Sequence, residues 1–168
     1  MATVTPFIKY MVFMKAKIGN KAEFFKSEYG GFINSLDWHY YCTFTTGYEM
    51  TLKSARRSME RFHKILSKNT GNIRFFWVAE PFDVKEGFHT HALLYFDNTQ
   101  LNDYSSGKNS NGFSAIKKAW EIAAGGKYNA KGKNGIRGRY VRYKANKGAA
   151  HYLGKYLSKS MSDYDLLI

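Results

Sequence analysis

Two histidines one residue apart, His89 and His91, lie in the run Gly87-Phe88-His89-Thr90-His91-Ala92-Leu93-Leu94-Tyr95-Phe96. Its aromatic and branched content, opened by a glycine, predicts a β-strand, with Phe88, Ala92, Leu94 and Phe96 on the even positions and only Thr90 polar among them. Side chains at i and i+2 of a strand share a face, about 7 Å apart. Two imidazoles so placed can hold one divalent ion between their inner nitrogens. A second constellation follows near the C-terminus, Ala149-Ala150-His151-Tyr152-Leu153-Gly154-Lys155-Tyr156-Leu157-Ser158-Lys159. On a helix Tyr152, Lys155, Tyr156 and Lys159 fall within an arc of about 100°, while Ala149, Leu153, Leu157 and Met161 form a neighbouring face that packs inward. Each pattern has a plain structural reading, since histidines pack in strands and Tyr and Lys coat solvated helices. Their combination decides the matter.

That combination suits phosphodiester chemistry. A divalent cation on two imidazoles and a carboxylate polarises a scissile phosphodiester and neutralises developing charge. A tyrosine phenol, helped toward phenolate by nearby charge, attacks phosphorus to give a covalent phosphotyrosine, and a lysine one turn away neutralises the phosphate. Imidazoles suit several first-row metals; a carboxylate and open positions point to Mn²⁺ or Mg²⁺.

Composition agrees. The chain carries 26 Lys and Arg against 13 Asp and Glu, a formal charge of +13. Between Lys108 and Lys159 there are 13 basic residues and one acid, Glu121. With aromatic residues interleaved, nucleic acid is the expected partner, in preference to a small-molecule substrate or a membrane. No apolar run approaches the about 20 residues that span a bilayer. One cysteine, Cys42, excludes an intrachain disulfide and a cysteine zinc site. No secretory signal is evident, so the expectation is a cytoplasmic protein. At 168 residues the expectation is one domain, residues 1–168.

The positioning elements follow from periodicity. Strands are predicted over residues 7–18, 38–46, 73–80 and 139–144 besides the histidine strand. A short helix from Asn20 should end at Gly30-Gly31. The clearest helix places Leu52, Ala55, Met59, Phe62 and Leu66 on one face behind Thr51 as N-cap, with His63 at the surface. Asn98 to Asn111 reads as a surface loop, Ser114 to Ala124 as a second amphipathic helix and Gly125 to Gly138 as a loop. Pro81 to Gly87 returns strand 73–80 antiparallel to the histidine strand, so Glu80 can lie beside His89 or His91. Helices against a largely antiparallel sheet make an α+β domain. The histidines are expected on its open face.

Phe88-His89-Thr90-His91-Ala92-Leu93-Leu94-Tyr95-Phe96 resembles the HUH motif, and Tyr152-Leu153-Gly154-Lys155-Tyr156-Leu157-Ser158-Lys159 resembles the tyrosine motif of HUH endonucleases that initiate rolling-circle replication of plasmids, single-stranded DNA phages and small DNA viruses. Trp38 to Thr46 loosely resembles the aromatic/threonine motif of the same initiators. The resemblance implies a ferredoxin-like fold with a central five-stranded antiparallel sheet. It further implies metal-dependent nicking of single-stranded DNA, or of an extruded origin hairpin, through a 5′-phosphotyrosyl link that leaves a free 3′-OH. His89 and His91 would then bind Mn²⁺ or Mg²⁺, completed by Glu80 with Glu86 in reserve. Either Tyr152 or Tyr156 can serve as nucleophile beside Lys155 and Lys159; by analogy with single-tyrosine relatives, Tyr156 takes the lead. DNA contacts are expected from Arg137, Arg139, Arg142, Lys144 and Lys147, and from Tyr41 and Thr43. Without a Walker loop, the chain is expected to be either a compact initiator using a host helicase or an excised nuclease domain. Two other readings compete: a non-catalytic single-stranded nucleic-acid-binding module, and an HUH transposase or relaxase.

Overall fold

A computed structural model describes residues 21–101, 111–125, 137–154 and 163–167. Helix α1 spans Lys21–Ser35, followed by strand β1 (Tyr40–Thr45), helix α2 (Leu52–Thr70), strands β2 (Ile73–Pro81) and β3 (Phe88–Phe96), helix α3 (Asn111–Ala124), strand β4 (Arg137–Arg142), a short helix α4 (Ala149–Gly154) and strand β5 (Tyr164–Leu167). Single turns of 3₁₀ helix occupy Thr99–Leu101 and Ala145–Lys147. The strands form one sheet in the order β4-β1-β3-β2-β5, every neighbouring pair antiparallel. From β1 to β4 the succession is β-α-β-β-α-β, and its spatial order 4-1-3-2 interleaves two split β-α-β units. This is an α+β fold consistent with the ferredoxin-like class.

Strand alternation sorts the side chains into two cores. On one face Tyr40, Cys42 and Phe44 of β1, Phe75, Trp77 and Ala79 of β2, and Ala92, Leu94 and Phe96 of β3 are buried under α2 and α3. The stripe Ala55, Met59, Phe62 and Leu66 of α2 fits this layer. Thr90, the polar member of the even positions, is fully buried there and its hydroxyl donates to Met59 Sδ. Thr51 caps α2 as expected: its hydroxyl accepts from Ser54 N, and Ser54 Oγ accepts from Thr51 N. At the other end Gly71 takes φ 85°, a conformation costly for a residue with a Cβ.

The opposite face carries the histidines, and it is not open. Ile33 and Trp38, Phe76, Val78 and Leu93, and Ala150 and Leu153 form a second buried cluster there, where α1 packs against α4. This core also explains why α1 runs through Gly30-Gly31 to Ser35 instead of stopping. Burial of Ile33 and the Trp38 Nε1 bond to its carbonyl at 2.7 Å offset the about 1 kcal/mol each helical glycine costs.

Three further differences from the sequence reading concern single elements. Ala150, rather than Ala149, is the fully buried alanine of α4. The 98–111 segment is not wholly surface loop: Leu101 is buried and its carbonyl accepts from the Tyr40 hydroxyl. His63 is half-buried, its ring stacked on Phe75 at 5.6 Å.

Strand β5 has no counterpart in the sequence reading. It pairs with β2 from Val78↔Tyr164 to Phe75↔Leu167 and closes the edge next to β2. Arg56 of α2 fastens it, giving a bidentate ion pair to Asp163 and a bond to the Tyr164 carbonyl. Asp163 O in turn accepts from Ala79 N at 2.7 Å, one residue before Glu80. β4 lies at the other edge, where the alternating 139–144 pattern predicts an edge strand. The expected strand over residues 7–18 and most of the Gly125–Gly138 loop lie outside the described residues.

Candidate metal centre and adjoining basic groove

Strands β2 and β3 bring the candidate ligands together, and β1 supports them. Glu80 stands opposite His89 in the β2–β3 ladder, and His91 stands opposite Thr43 of β1. All project from the face that carries the second core. His91 Nε2 lies 2.8 Å from Glu80 Oε2 and 3.0 Å from His89 Nε2, while His89 Nε2 lies 3.4 Å from the same carboxylate oxygen. Glu80, His89 and His91 therefore lie close enough together to hold a metal ion. The spacing fits: donors about 2.1 Å from one cation sit about 3.0 Å apart at right angles and about 3.4 Å apart at the tetrahedral angle. Two imidazoles and one carboxylate on one side leave the remaining coordination positions for water or substrate. Glu86 is exposed and does not join the cluster.

Electrostatics suit a cation. Burial, reinforced by the neighbouring His91, pushes His89 down to about 4, so its imidazole is neutral at physiological pH. Its contact with Glu80 is then not an ion pair. Burial pushes the Glu80 carboxyl up, but hydrogen bonds from His91 and Tyr152 outweigh it and hold the group below its usual range. An anionic carboxylate, the neutral His89 ring and Nε2 of His91 converge on one point. A single proton on His91 Nε2 can satisfy Glu80, yet it leaves the His89 lone pair facing another nitrogen. A divalent cation would satisfy all three donors.

The supporting contacts fix the ligand rings. His91 Nδ1 lies 2.9 Å from the Tyr41 hydroxyl and 3.0 Å from that of Thr43. The Tyr41 and His91 rings stack with centroids 5.7 Å apart. Burial, opposed by the Thr43 hydrogen bond and aided by Glu80, pushes the Tyr41 phenol up to about 12, so it keeps its proton. With Nε2 turned to a cation, Nδ1 carries the hydrogen and donates to one of these two oxygens, a common arrangement around metal-bound histidine. His89 stacks on Phe82 at 4.7 Å, and its buried Nδ1 has no hydrogen-bond partner among the described residues.

α4 delivers the phenol. Tyr152 Oη lies 2.9 Å from both Glu80 oxygens and donates to that carboxylate, with its ring edge-on to His91 at 5.8 Å. The residue is 39% exposed, yet loss of solvent around its hydroxyl, and then the bond and charge of Glu80, raise the phenol pKa. In this arrangement Glu80 holds Tyr152 in its neutral form. Leu153 and Ala150 on the other side of α4 enter the second core, which fixes the helix beside the cluster. Lys155, Tyr156 and Lys159 lie outside the described residues.

Residues 39–161 match the sequence model of a family described as replication-associated protein ORF2. The chain belongs to this family. Comparisons with curated proteins and with solved structures gave no match. In this replication-associated family member the matched region contains the histidine strand, Glu80 and Tyr152, and extends beyond α4.

Beside the cluster runs a groove of about 460 Å³ between β4, the following 3₁₀ turn and α4. Its apolar lining comes from Tyr41, Val141, Ala149 and Tyr152. Arg139, Arg142, Lys144 and Lys147 supply the charge, and among the described residues no carboxylate lines it. Four of the cations expected to touch DNA are thus gathered in one place; the Arg137 side chain lies outside what is described. Tyr41 and Thr43, expected as DNA contacts, have a use the sequence reading misses, as partners of His91. The signal lies in strand parity: both sit on odd positions of a strand that pairs with β3. No helix among the described residues is long and apolar enough to cross a membrane.

Proposed function

We propose that this replication-associated protein is a metal-dependent, site-specific single-stranded DNA endonuclease and strand transferase that initiates rolling-circle replication through a covalent 5′-phosphotyrosine. The observation that carries the reading is the sharing of one carboxylate: Glu80 faces both imidazoles and accepts the Tyr152 hydroxyl. A nucleophile and a divalent-cation site so close together would be superfluous in a plain binding module.

His89, His91 and Glu80 would hold Mn²⁺ or Mg²⁺. When bound, the cation would supply Lewis-acid polarisation of a non-bridging phosphate oxygen and positive charge against the developing negative charge. The remaining work falls to the chain. Tyr41 and Thr43 hold the His91 ring. Arg139, Arg142, Lys144, Lys147 and Arg137 neutralise the incoming strand. A tyrosine hydroxyl attacks phosphorus, its proton passing to Glu80 or to solvent; the new O–P bond replaces the bond to the 3′ oxygen, which leaves as a free 3′-OH after taking a proton. Lys155 and Lys159 would neutralise the transferred phosphate. The reverse reaction, attack by a 3′-OH on the phosphotyrosine, rejoins strands.

Tyr152 is favoured by its contact with Glu80, and Tyr156 by analogy with single-tyrosine initiators. Residues 1–168 are taken as one nuclease domain, acting on origin DNA or a hairpin in the cytoplasm, with a host helicase as a candidate partner. A denaturing gel tests the reading, with labelled single-stranded oligonucleotides from candidate replication origins in Mn²⁺ and in EDTA. The expected result is a Mn²⁺-dependent, denaturation-resistant adduct that disappears in Tyr152→Phe/Tyr156→Phe. Its loss in one single variant assigns the nucleophile. Tight binding with no adduct across the origin pool would favour the non-catalytic module.

A further inference from the structure

We infer that the groove beside the metal centre is a base-reading subsite that takes one unstacked nucleotide of the bound strand, and that Val141 and Ala149 set its base preference. The inference rests on the proposed single-stranded DNA substrate and adds specificity to it. A row of surface cations alone would neutralise phosphates without distinguishing sequences. This groove is different in construction. Its volume of about 460 Å³ lies within the range of about 300–1,000 Å³ common to small-ligand pockets, which combine apolar walls with a few polar groups. The aromatic walls Tyr41 and Tyr152 and the aliphatic walls Val141 and Ala149 offer an apolar seat for the flat face of a base. Arg139, Arg142, Lys144 and Lys147, with no carboxylate among the described lining residues, favour an anionic ligand and can receive the phosphate and sugar edges.

Position adds the second argument. Tyr41 and Tyr152 belong both to the groove and to the metal centre: Tyr41 bonds His91 and Tyr152 bonds Glu80. A nucleotide seated here therefore has its own phosphate, or the next one, beside Glu80 and the histidines. Reading a base at this place would select which phosphodiester reaches the tyrosine, a coupling of recognition to cut position that phosphate contacts elsewhere could not provide. The walls are also rigidly set. Val141 is paired across the sheet with Tyr41, and Ala149 opens the helix whose Ala150 and Leu153 are fully buried.

The test is selection from a randomised single-stranded DNA pool by the Tyr152→Phe/Tyr156→Phe protein, which keeps the Tyr152 ring but cannot form an adduct. Val141→Phe and Ala149→Leu, each filling the groove from a different element, are made in the same background, with folding checked by circular dichroism. The expected result is enrichment of one base at one position. Each filling variant should weaken or change that preference several-fold while leaving the salt slope of binding unaltered. Absence of positional enrichment, or the same preference in both filling variants, would overturn the inference. Because selection reads binding alone, a clear base preference in a protein whose parent forms no adduct would leave the subsite standing and remove the nuclease reading.

Discussion

His91 is the residue on which the site is centred. One ring nitrogen faces Glu80 and His89, and the other is held by Tyr41 and Thr43. Two alternative oxygens at nearly equal distance mean that losing one leaves the other as acceptor. Tyr41→Phe or Thr43→Val alone should therefore weaken Mn²⁺ binding only slightly. The double variant should lower affinity by about 10–100-fold, the usual scale for supporting contacts of metal-bound histidine. Titration calorimetry with Mn²⁺ measures this, and an unchanged affinity in the double variant would show that the His91 ring needs no such support. At this scale the sequence is informative about ligands and poor about their supports. His-x-His and a glutamate at a strand end state their chemistry in their types. Tyr41 and Thr43 look like any aromatic/threonine strand until pairing with β3 places Thr43 opposite His91.

The elements show a similar division. α2 and the three inner strands β1, β2 and β3 are legible because their periodicity is strong and their apolar faces are continuous. The end of α1 is not legible at Gly30-Gly31, because the burial of Ile33, which carries the helix onward, is a tertiary contact invisible to local propensity. β5 escapes the sequence for a related reason: Tyr164–Leu167 is short, and its place depends on β2 and on Arg56 from distant parts of the chain. The half-burial of His63 follows from the same packing of α2 over the sheet. Burial lowers its pKa, with Asp165 of β5 opposing. The unfolded chain then binds more protons than the folded protein as pH falls below about 6.5, so acid removes stability there. In His63→Gln the fall in melting temperature between about pH 6.5 and 5 should be shallower than in the parent. An identical slope would mean that His63 titrates alike in both states.

At the scale of the whole molecule, four described cations and the candidate metal cluster meet around Tyr41 and Tyr152. The excess of basic residues between Lys108 and Lys159 includes the four that line the groove beside the candidate metal cluster. The strand order, with β4 at one edge and the histidine strand at the centre, sets them next to it. Composition alone announces a polyanionic partner, and the motifs announce the fold class; the groove needs the sheet order to appear. Binding of single-stranded DNA should weaken steeply with salt. Arg139→Ala or Arg142→Ala should each lower affinity for all sequences alike and reduce the log–log salt slope by about 1. A slope identical to the parent would place the DNA path elsewhere.

The most direct measurement is peptide mass spectrometry of the protein after reaction with an origin oligonucleotide in Mn²⁺ and nuclease trimming of the bound DNA. The expected product is a nucleotide joined through its 5′-phosphate to Tyr152 or Tyr156, present in the parent and absent from His91→Ala. Cleaved DNA with an unmodified protein, or a modification that persists in His91→Ala, would contradict a metal-dependent tyrosine nuclease.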